Sequence, residues 1–210
     1  MQGVELTVSL FLASIAFGFA VGLLFALGKI FGPKAVRLTL TAISDILRAI
    51  PPIVLIFIIF VLFVVDLPPF ISVVVALGMI SGAYQSEIFR GAIQAVSSGQ
   101  VEAARSMGMS KIQAIGHVVL PQALRLSIPS WSNEAVSMIK ETSLAYAIGI
   151  PELMRRAEYF SARTYNPLVA FSVAAVIYII LCYGTTKALK LVEQKTKIPG
   201  MGHEKASGGN

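Results

Sequence analysis

Polar side chains gather on one side of an otherwise apolar run between residues 126 and 150. On a helix that turns by about 100° per residue, they occupy a single arc of about 120°. Carboxylates in such an arc can bind a cationic group, and its ammonium, amide and hydroxyl groups can donate hydrogen bonds to an anionic one. The members of this polar arc are Ser130, Asn133, Glu134, Ser137, Lys140 and Glu141.

The polar arc cannot face lipid, for energetic reasons. Three charges near the bilayer centre cost roughly 7–10 kcal/mol, and the leucine, isoleucine and valine residues of the run return only about 2–4 kcal/mol. Charged groups inside membranes line water-filled cavities or pair with other helices. The arc therefore either lines a translocation pathway or forms a buried ion pair or a contact with a second subunit. Glu87, near the end of an earlier apolar run, poses a similar choice, because it can also pair with Arg90 three residues later.

A second informative stretch, residues 97–121, is charged and helix-prone although it separates apolar runs. Ser97 with Gln100 and Ser110 with Gln113 match the spacing of a capping box, which predicts two helix starts. Gly108 lies between them and can adopt the positive φ that ends a helix. Such a pair of helices either lies on the lipid headgroups or docks on a partner protein. The expected apolar faces consist of Val101, Ala104 and Met107 in the first helix and of Ile112, Ile115 and Val119 in the second.

Several kinds of chemistry lack their residues in this sequence. No G-x4-G-K-[ST] loop is present, so the chain is not expected to bind ATP itself. The only histidines, His117 and His203, and the single Cys182 form no cluster typical of a metal site. The G-x-S-x-G motif of hydrolases is absent too. We therefore expect no catalytic residue, no bound metal and no enzyme activity in this chain.

The composition is typical of an integral membrane protein. Of 210 residues, 56% are hydrophobic and 13% are charged, whereas soluble domains contain about 25% charged residues. A membrane-spanning helix needs about 20 apolar residues. The sequence therefore predicts an all-α, polytopic membrane protein with about five transmembrane helices. The expected spans are residues 6–28, 49–65, 67–86 with a helical extension through residue 90, 126–150 and 164–186.

Local motifs predict how some of these spans begin and pack. Pro51 and Pro52 predict a kink where the second span begins. Asn166, followed by Pro167, predicts the start of the last helix. Small residues recur every four positions in the first span and predict close packing against another helix. These small residues are Ser14, Gly18, Gly22 and Ala26.

The basic residues predict the orientation. The chain has 17 Lys and Arg against 11 Asp and Glu, a formal charge of +6. With the N-terminus outside, most of the basic residues fall in inner segments, and the outer segments hold only Arg155, Arg156 and Arg163. Since basic residues accumulate in cytoplasmic loops, we predict the N-terminus outside and the C-terminus inside. The positive charge is then explained by topology, and no nucleic acid partner is expected.

The stretch of residues 97–121 also carries a family motif. Glu102-Ala103-Ala104, Gly108 and Val118-x-Leu120-Pro121 resemble the EAA signature of ATP-binding-cassette (ABC) importer permeases, E-A-A-x3-G-x9-I-x-L-P, with Val118 in place of isoleucine. GVELTVSLFLASIAFGFAVGLLFAL, AYQSEIFRGAIQAVSSGQ and SNEAVSMIKETSLAYAIGIPELMRRA resemble segments of the polar amino acid permeases. The chain departs from that subfamily at residues 48–53, which are RAIPPI where Arg-Gly-Thr-Pro-Leu-Leu is usual.

This resemblance implies a type I ABC importer permease fold for residues 1–195, followed by a flexible cytoplasmic tail, residues 196–210. It also implies a multi-pass protein of the cell (inner) membrane. Residues 97–121 would be a coupling loop that docks on a separate cytoplasmic ATPase, and that ATPase would bind ATP and Mg. The other implied partners are a second permease subunit, an outer solute-binding protein and a polar amino acid. The docking residues on this basis are Glu102, Ala103, Ala104, Gly108, Leu120 and Pro121.

The resemblance gives the polar arc and Glu87 a candidate role in a translocation pathway that works by alternating access. A zwitterionic amino acid needs an anion for its ammonium group and donors for its carboxylate, and the arc offers both. The alternative is a self-sufficient channel or secondary transporter for a small polar solute. Such a protein would need no cytoplasmic partner, whereas the resemblance implies that residues 97–121 dock on one.

Overall fold

The computed structural model describes residues 2–62 and 67–196, and the regular elements in these residues are all helical. A π-helical turn spans Ile115–Val119, and a 3-10 helix spans Thr142–Ile148. Apart from Thr196, the predicted tail of residues 196–210 lies outside the described residues. The α-helices are α1 (Gln2–Phe31), α2 (Lys34–Ala49), α3 (Pro52–Leu62), α4 (Pro69–Gln94), α5 (Ser98–Ser106), α6 (Lys111–Ala114), α7 (Leu120–Glu141), α8 (Leu153–Thr164) and α9 (Pro167–Thr196).

The long helices correspond to the predicted spans. By length and composition, α1, α4 and α9 can each cross a bilayer. The second predicted span, residues 49–65, contains α3, and its residues 63–65 lie outside the described residues. α3 forms a bent pair with the preceding α2, and the two helix axes differ by 104°. The remaining predicted span is α7, which carries the polar arc. The expected all-α fold with several membrane-spanning helices is therefore confirmed.

The bend between α2 and α3 has a local cause. Ile50 has an extended backbone, with φ −79° and ψ 128°, because the residue before a proline is disfavoured in the helical region. Pro52 is the first residue of α3, where its missing N–H costs no hydrogen bond. The predicted kink is confirmed, but α2 itself precedes the predicted span and is an additional helix. Its many charges obscured a helix with one charged and one apolar face.

Close packing of α1 on α4 forms the centre of the fold. Ser14, Gly18, Gly22 and Ala26 are all buried on α1, as their spacing predicts. A Cβ atom on Gly18 would lie 3.1 Å from the carbonyl oxygen of Gly78, and one on Gly22 would lie 2.9 Å from that of Gly82. Gly18 lies next to Gly78, and Gly22 lies next to Gly82. The residue numbers therefore increase in the same direction along both helices, so α1 and α4 run parallel. Their N-terminal ends therefore lie on the same side of the molecule.

The fourth predicted span differs from the expected single α-helix over residues 126–150. α7 begins earlier, at Leu120, and the backbone becomes a 3-10 helix at Thr142. The Thr142 hydroxyl donates to the carbonyl of Ile139 at 2.6 Å, and that of Ser143 donates to Lys140 at 2.7 Å. Such bonds compete with regular helix hydrogen bonding, which accounts for the change. All members of the polar arc still lie within α7.

The segment before the last span contains a helix, α8, that sequence reasoning did not predict. Its N-cap, Glu152, is fully buried and accepts hydrogen bonds from the backbone N–H groups of Met154 and Arg155, both at 2.8 Å. The Tyr178 hydroxyl of α9 also donates to Glu152, at 3.0 Å. The next helix, α9, starts as predicted, with the N–H of Val169 donating to Asn166 Oδ1 at 3.3 Å.

Candidate functional site

Gly108 separates the two halves of the predicted coupling loop (residues 97–121). After α5, the N–H of Met109 donates to the carbonyl of Ala104 at 3.2 Å, and Gly108 has a φ of +88°. Glycine adopts this left-handed conformation readily, whereas side chains disfavour it. A Cβ atom at Gly108 would meet no atom within 4 Å. Glycine is therefore favoured here by the backbone conformation and not by a lack of space. The predicted helix break is confirmed.

Only one of the two predicted capping boxes forms. At the start of α6, the N–H of Gln113 donates to Ser110 Oγ at 3.3 Å, and the N–H of Ser110 donates to Gln113 Oε1 at 2.8 Å. At the start of α5, the Ser97 side chain makes no capping hydrogen bond. The N–H of Gln100 donates instead to the backbone carbonyl of Ser97, at 3.0 Å. The prediction for Ser97 is wrong, because its own carbonyl satisfies the donor.

The coupling loop continues into α7 through a π-helical turn. The N–H of Leu120 donates to the carbonyl of Ile115, five residues earlier. Pro121 follows at once, and a proline ring collides with the carbonyl four residues before it in a regular α-helix. The wider turn relieves this collision and keeps the helical backbone continuous from Lys111 to Glu141. A displacement of α6 can therefore move α7 directly.

One side of the coupling loop packs on the spans, and the other side is exposed. Ala104 is 1% exposed, and Val119 belongs to a hydrophobic cluster with Phe89 of α4. Met107 and Ile112, by contrast, are 72% and 83% exposed. Both flank Gly108 at the tip of the loop, so only part of each expected apolar face packs on the spans, and contact of the rest with a partner stays a prediction. Of the predicted docking residues, Ala104 and Leu120 face inwards at least in part, whereas the exposed ones are Glu102, Ala103, Gly108 and Pro121.

The members of the polar arc of α7 differ in their exposure on this single chain. One group is exposed on the single subunit, and the other is partly buried against neighbouring helices. The exposed members are Ser130, Asn133 and Lys140, and the partly buried ones are Glu134, Ser137 and Glu141. An exposed charged face on a membrane-spanning helix requires either a water-filled cavity or a second subunit.

Glu134 is the end of a hydrogen-bonded chain between α4 and α7. Trp131 Nε1 donates to Gln85 Oε1 at 2.7 Å, and Gln85 Nε2 donates to Ser81 Oγ at 2.9 Å. The Ser81 hydroxyl then donates to Glu134 Oε1 at 2.6 Å. Because the indole can only donate, it sets the orientation of the Gln85 amide and hence the direction of the whole chain. The second carboxylate oxygen, Oε2, has no such partner within the described residues.

Sequence reasoning missed three members of this chain, Ser81, Gln85 and Trp131. Ser81 and Gln85 are 1% and 0% exposed. Their separation by four residues places them on one face of α4. Two polar residues with this spacing in an apolar span could have indicated a polar contact with a neighbouring helix. Gly18 and Gly22 complete the arrangement, since a Cβ atom on either would lie 2.8 Å or less from an atom of Gln85.

Glu87 lies near the other end of α4 and is paired with two cations. Arg90 donates to its Oε2 at 2.6 Å, as the i,i+3 alternative anticipates, and Lys29 of α1 donates to Oε1 at 2.8 Å. The Lys29 side chain is only 2% exposed. A role for Glu87 in a pathway stays a prediction. In the residues that the structure describes, no three His, Cys, Asp or Glu side chains are grouped as metal ligands.

Comparison with known families matches residues 18–198 to the binding-protein-dependent transport system inner membrane component family. The chain is 38% identical over 197 residues to the L-cystine transport system permease protein TcyB of Bacillus subtilis (strain 168), covering 92% of this chain and 84% of that protein. It is 32% identical over 206 residues to the histidine/lysine/arginine/ornithine transport system permease protein HisM of Escherichia coli (strain K12), covering 92% and 87%.

Two solved structures share the fold. A crystal structure of an amino acid ABC transporter with histidines superposes with a TM-score of 0.83 at 33% identity, covering 92% of both chains. The inward-facing MetNI methionine ABC transporter superposes with a TM-score of 0.81 at 22% identity, covering 94% of this chain and 95% of that one. The second likeness shows the fold alone. The observed helix arrangement is thus that of ABC importer permeases.

Proposed function

We propose a function on the premise that the chain belongs to the family of binding-protein-dependent transport system inner membrane components. As a multi-pass membrane protein of this family, it is a permease subunit of an ABC importer. We infer that the imported solute is a polar amino acid. The two relatives described above support this substrate class, since their names specify cystine and basic amino acids.

Glu134 is the residue that we propose for substrate recognition. Every transported amino acid of this class carries an α-ammonium group, and a carboxylate that is held in place by other donors is a suitable partner for it. The Ser81 hydroxyl holds Oε1 of Glu134 at 2.6 Å, which leaves Oε2 for the ammonium group. The exposed Asn133 and Ser130 on the same helix face can donate hydrogen bonds to the substrate carboxylate.

The coupling loop is the proposed contact with a separate ATPase subunit, which would bind ATP and Mg. Its exposed tip, with Glu102, Met107 and Ile112, offers both charge and apolar surface. The continuous helix from Lys111 to Glu141 would carry the motion of the ATPase to the polar arc in each cycle of alternating access. A second permease subunit would cover the exposed members of the arc, and a solute-binding protein would deliver the substrate from outside.

The test is amino acid uptake into proteoliposomes that contain the chain with its cognate ATPase and solute-binding protein. We expect uptake that requires ATP. Glu134→Gln should raise KM by about 10–100-fold, because a charge-assisted hydrogen bond contributes about 1.5–3 kcal/mol. Its Tm should stay within a few degrees, since the glutamine oxygen still accepts from Ser81. The matched variant Glu141→Gln should leave KM within about twofold but lower the Tm of the complex, if Glu141 pairs with a cation of the second subunit.

Three results would overturn parts of this proposal. Uptake by the chain without any ATPase would favour a self-sufficient channel or secondary transporter. ATP-driven uptake of a solute without an ammonium group would exclude the assigned role of Glu134. An unchanged KM in Glu134→Gln would exclude it as well, even if amino acids are the substrates.

A further inference from the structure

A cavity of about 500 Å³ lies between α1, α2 and α4, and its lining is strongly charged. Four basic side chains and two carboxylates face it, which leaves a surplus of two positive charges. We call it the cationic cavity. Its charged residues are Lys29, Arg37, Arg48, Arg90, Asp45 and Glu87.

Both carboxylates of the cationic cavity already have partners. Glu87 is bound by Lys29 and Arg90, and Asp45 is bound by Arg48 at 2.6 Å. Arg37 makes no ion pair with any carboxylate in the part of the chain that the structure describes. The Nε group of Arg48 is buried and has no hydrogen-bond partner among the same residues. One of the two surplus positive charges therefore lies on Arg37 of α2, and the other belongs to Lys29 and Arg90, which share one carboxylate.

The cationic cavity lies on the same side of the molecule as the coupling loop. α1 and α4 run parallel, their C-terminal ends border the cavity, and α4 leads directly into the loop. α2 places charged residues towards the cavity and exposed apolar residues, such as Ile43 and Ile46, away from it. A helix with such opposite faces at the end of a span is typical of the membrane–water interface.

We propose that the cationic cavity binds the phosphate of an anionic phospholipid from the leaflet on the coupling-loop side. Guanidinium groups bind phosphate with two parallel hydrogen bonds, and basic pockets between membrane helices are suited to anionic headgroups. Ile30 in the cavity lining and the 58% exposed Leu38 beside Arg37 offer apolar surface to the lipid chains. The bound lipid would hold α2 against α1 and α4 next to the coupling loop, whichever solute is transported.

The test compares lipid binding to the purified full-length chain by native mass spectrometry and thermal melting. Phosphatidylglycerol should bind about tenfold more tightly than phosphatidylcholine and should raise the Tm. Arg37→Gln should remove this preference, because it neutralises the cavity cation that has no ion pair. Arg37→Lys should keep part of it. Lys190→Gln removes one exposed charge from the end of α9 and should leave the preference within about twofold.

Competition distinguishes a lipid from a soluble anion. Glycerol 3-phosphate and inorganic phosphate at millimolar concentration should not displace phosphatidylglycerol. If either displaces it and raises the Tm by itself, the site takes free phosphate and the lipid proposal is wrong. Equal binding of both lipids by the wild-type chain would also overturn the proposal. So would an equal loss of preference in Arg37→Gln and Lys190→Gln, since general surface charge would then explain it.

Discussion

Single residues determine how closely α1 and α4 approach and therefore where Gln85 lies. Gly18 and Gly22 allow the backbone of α1 to contact Gly78 and Gly82 of α4. Gln85 fills the space beside these glycines and orients Ser81 towards Glu134. The candidate substrate carboxylate on α7 thus depends on residues of α1 that never touch it.

Gly22→Val is expected to destabilise the protein. The added Cβ would lie 2.9 Å from the carbonyl of Gly82 and 2.7 Å from Cβ of Gln85, so α1 and α4 must separate. Overpacking of this kind costs about 1–3 kcal/mol, which a lowered Tm in detergent should show. Gly184→Val is the control, because a Cβ at Gly184 in α9 meets no atom within 4 Å. Equal Tm values for the two variants would contradict the packing account.

At the scale of elements, the coupling loop combines a rigid tip with a firm attachment. Gly108 and the capping box of Ser110 define the turn between α5 and α6. Ala104 and Val119 attach the loop to the spans, and the π-helical turn carries α6 into α7. The backbone is therefore helical from the exposed tip to the polar arc, with Pro129 inside α7 between them.

Gly108→Val should uncouple the ATPase while leaving membrane insertion intact. A β-branched residue is strongly strained at a φ of +88°, so the tip between α5 and α6 must change shape. We expect substrate-stimulated ATP hydrolysis by the assembled complex to fall by about tenfold or more. Gly99→Val is the control, because Gly99 lies in α5 and its Cβ would meet only an ordinary contact at 3.6 Å. Wild-type stimulation in Gly108→Val would argue against the docking role of the loop.

At the scale of the whole molecule, the order and direction of the helices constrain the topology. α1 and α4 run parallel, and the coupling loop follows α4. The N-terminus and the coupling loop should therefore lie on opposite sides of the membrane. Together with the distribution of basic residues, this supports the prediction of an external N-terminus.

Cysteine labelling tests this topology in a Cys182→Ala background. Thr164→Cys, at the exposed end of α8, should react with an impermeant thiol reagent in intact cells. Ser98→Cys, at the exposed start of α5, should react only after the membrane is permeabilised. One span, α7, lies between Ser98 and Thr164. The two positions should therefore lie on opposite sides of the membrane and differ in labelling. The reverse labelling pattern would place the coupling loop outside and exclude its contact with a cytoplasmic ATPase.

Much of the fold and part of the candidate site could be predicted because their causes are local. Asn166 and Pro167 start α9, and Gly108 ends the first half of the coupling loop, by preferences that each residue carries alone. The same logic failed for Ser97, where a backbone carbonyl replaces the expected side-chain cap. It also failed after Glu141, where hydroxyl groups of Thr142 and Ser143 turn to nearby carbonyls.

The sequence by itself determined the membrane class, the approximate spans, the coupling-loop motif and the common face of the polar arc. These features depend on composition and on helical periodicity, which need no knowledge of neighbouring helices. Only the tertiary structure decided that Ser81 holds Glu134, that Lys29 joins Arg90 on Glu87, and that basic residues of α1, α2 and α4 enclose one cavity. The Ser81–Glu134 and Lys29–Glu87 contacts each join residues more than 50 positions apart, and the cavity is lined by three separate helices. All three features therefore exist only when packing brings those helices together.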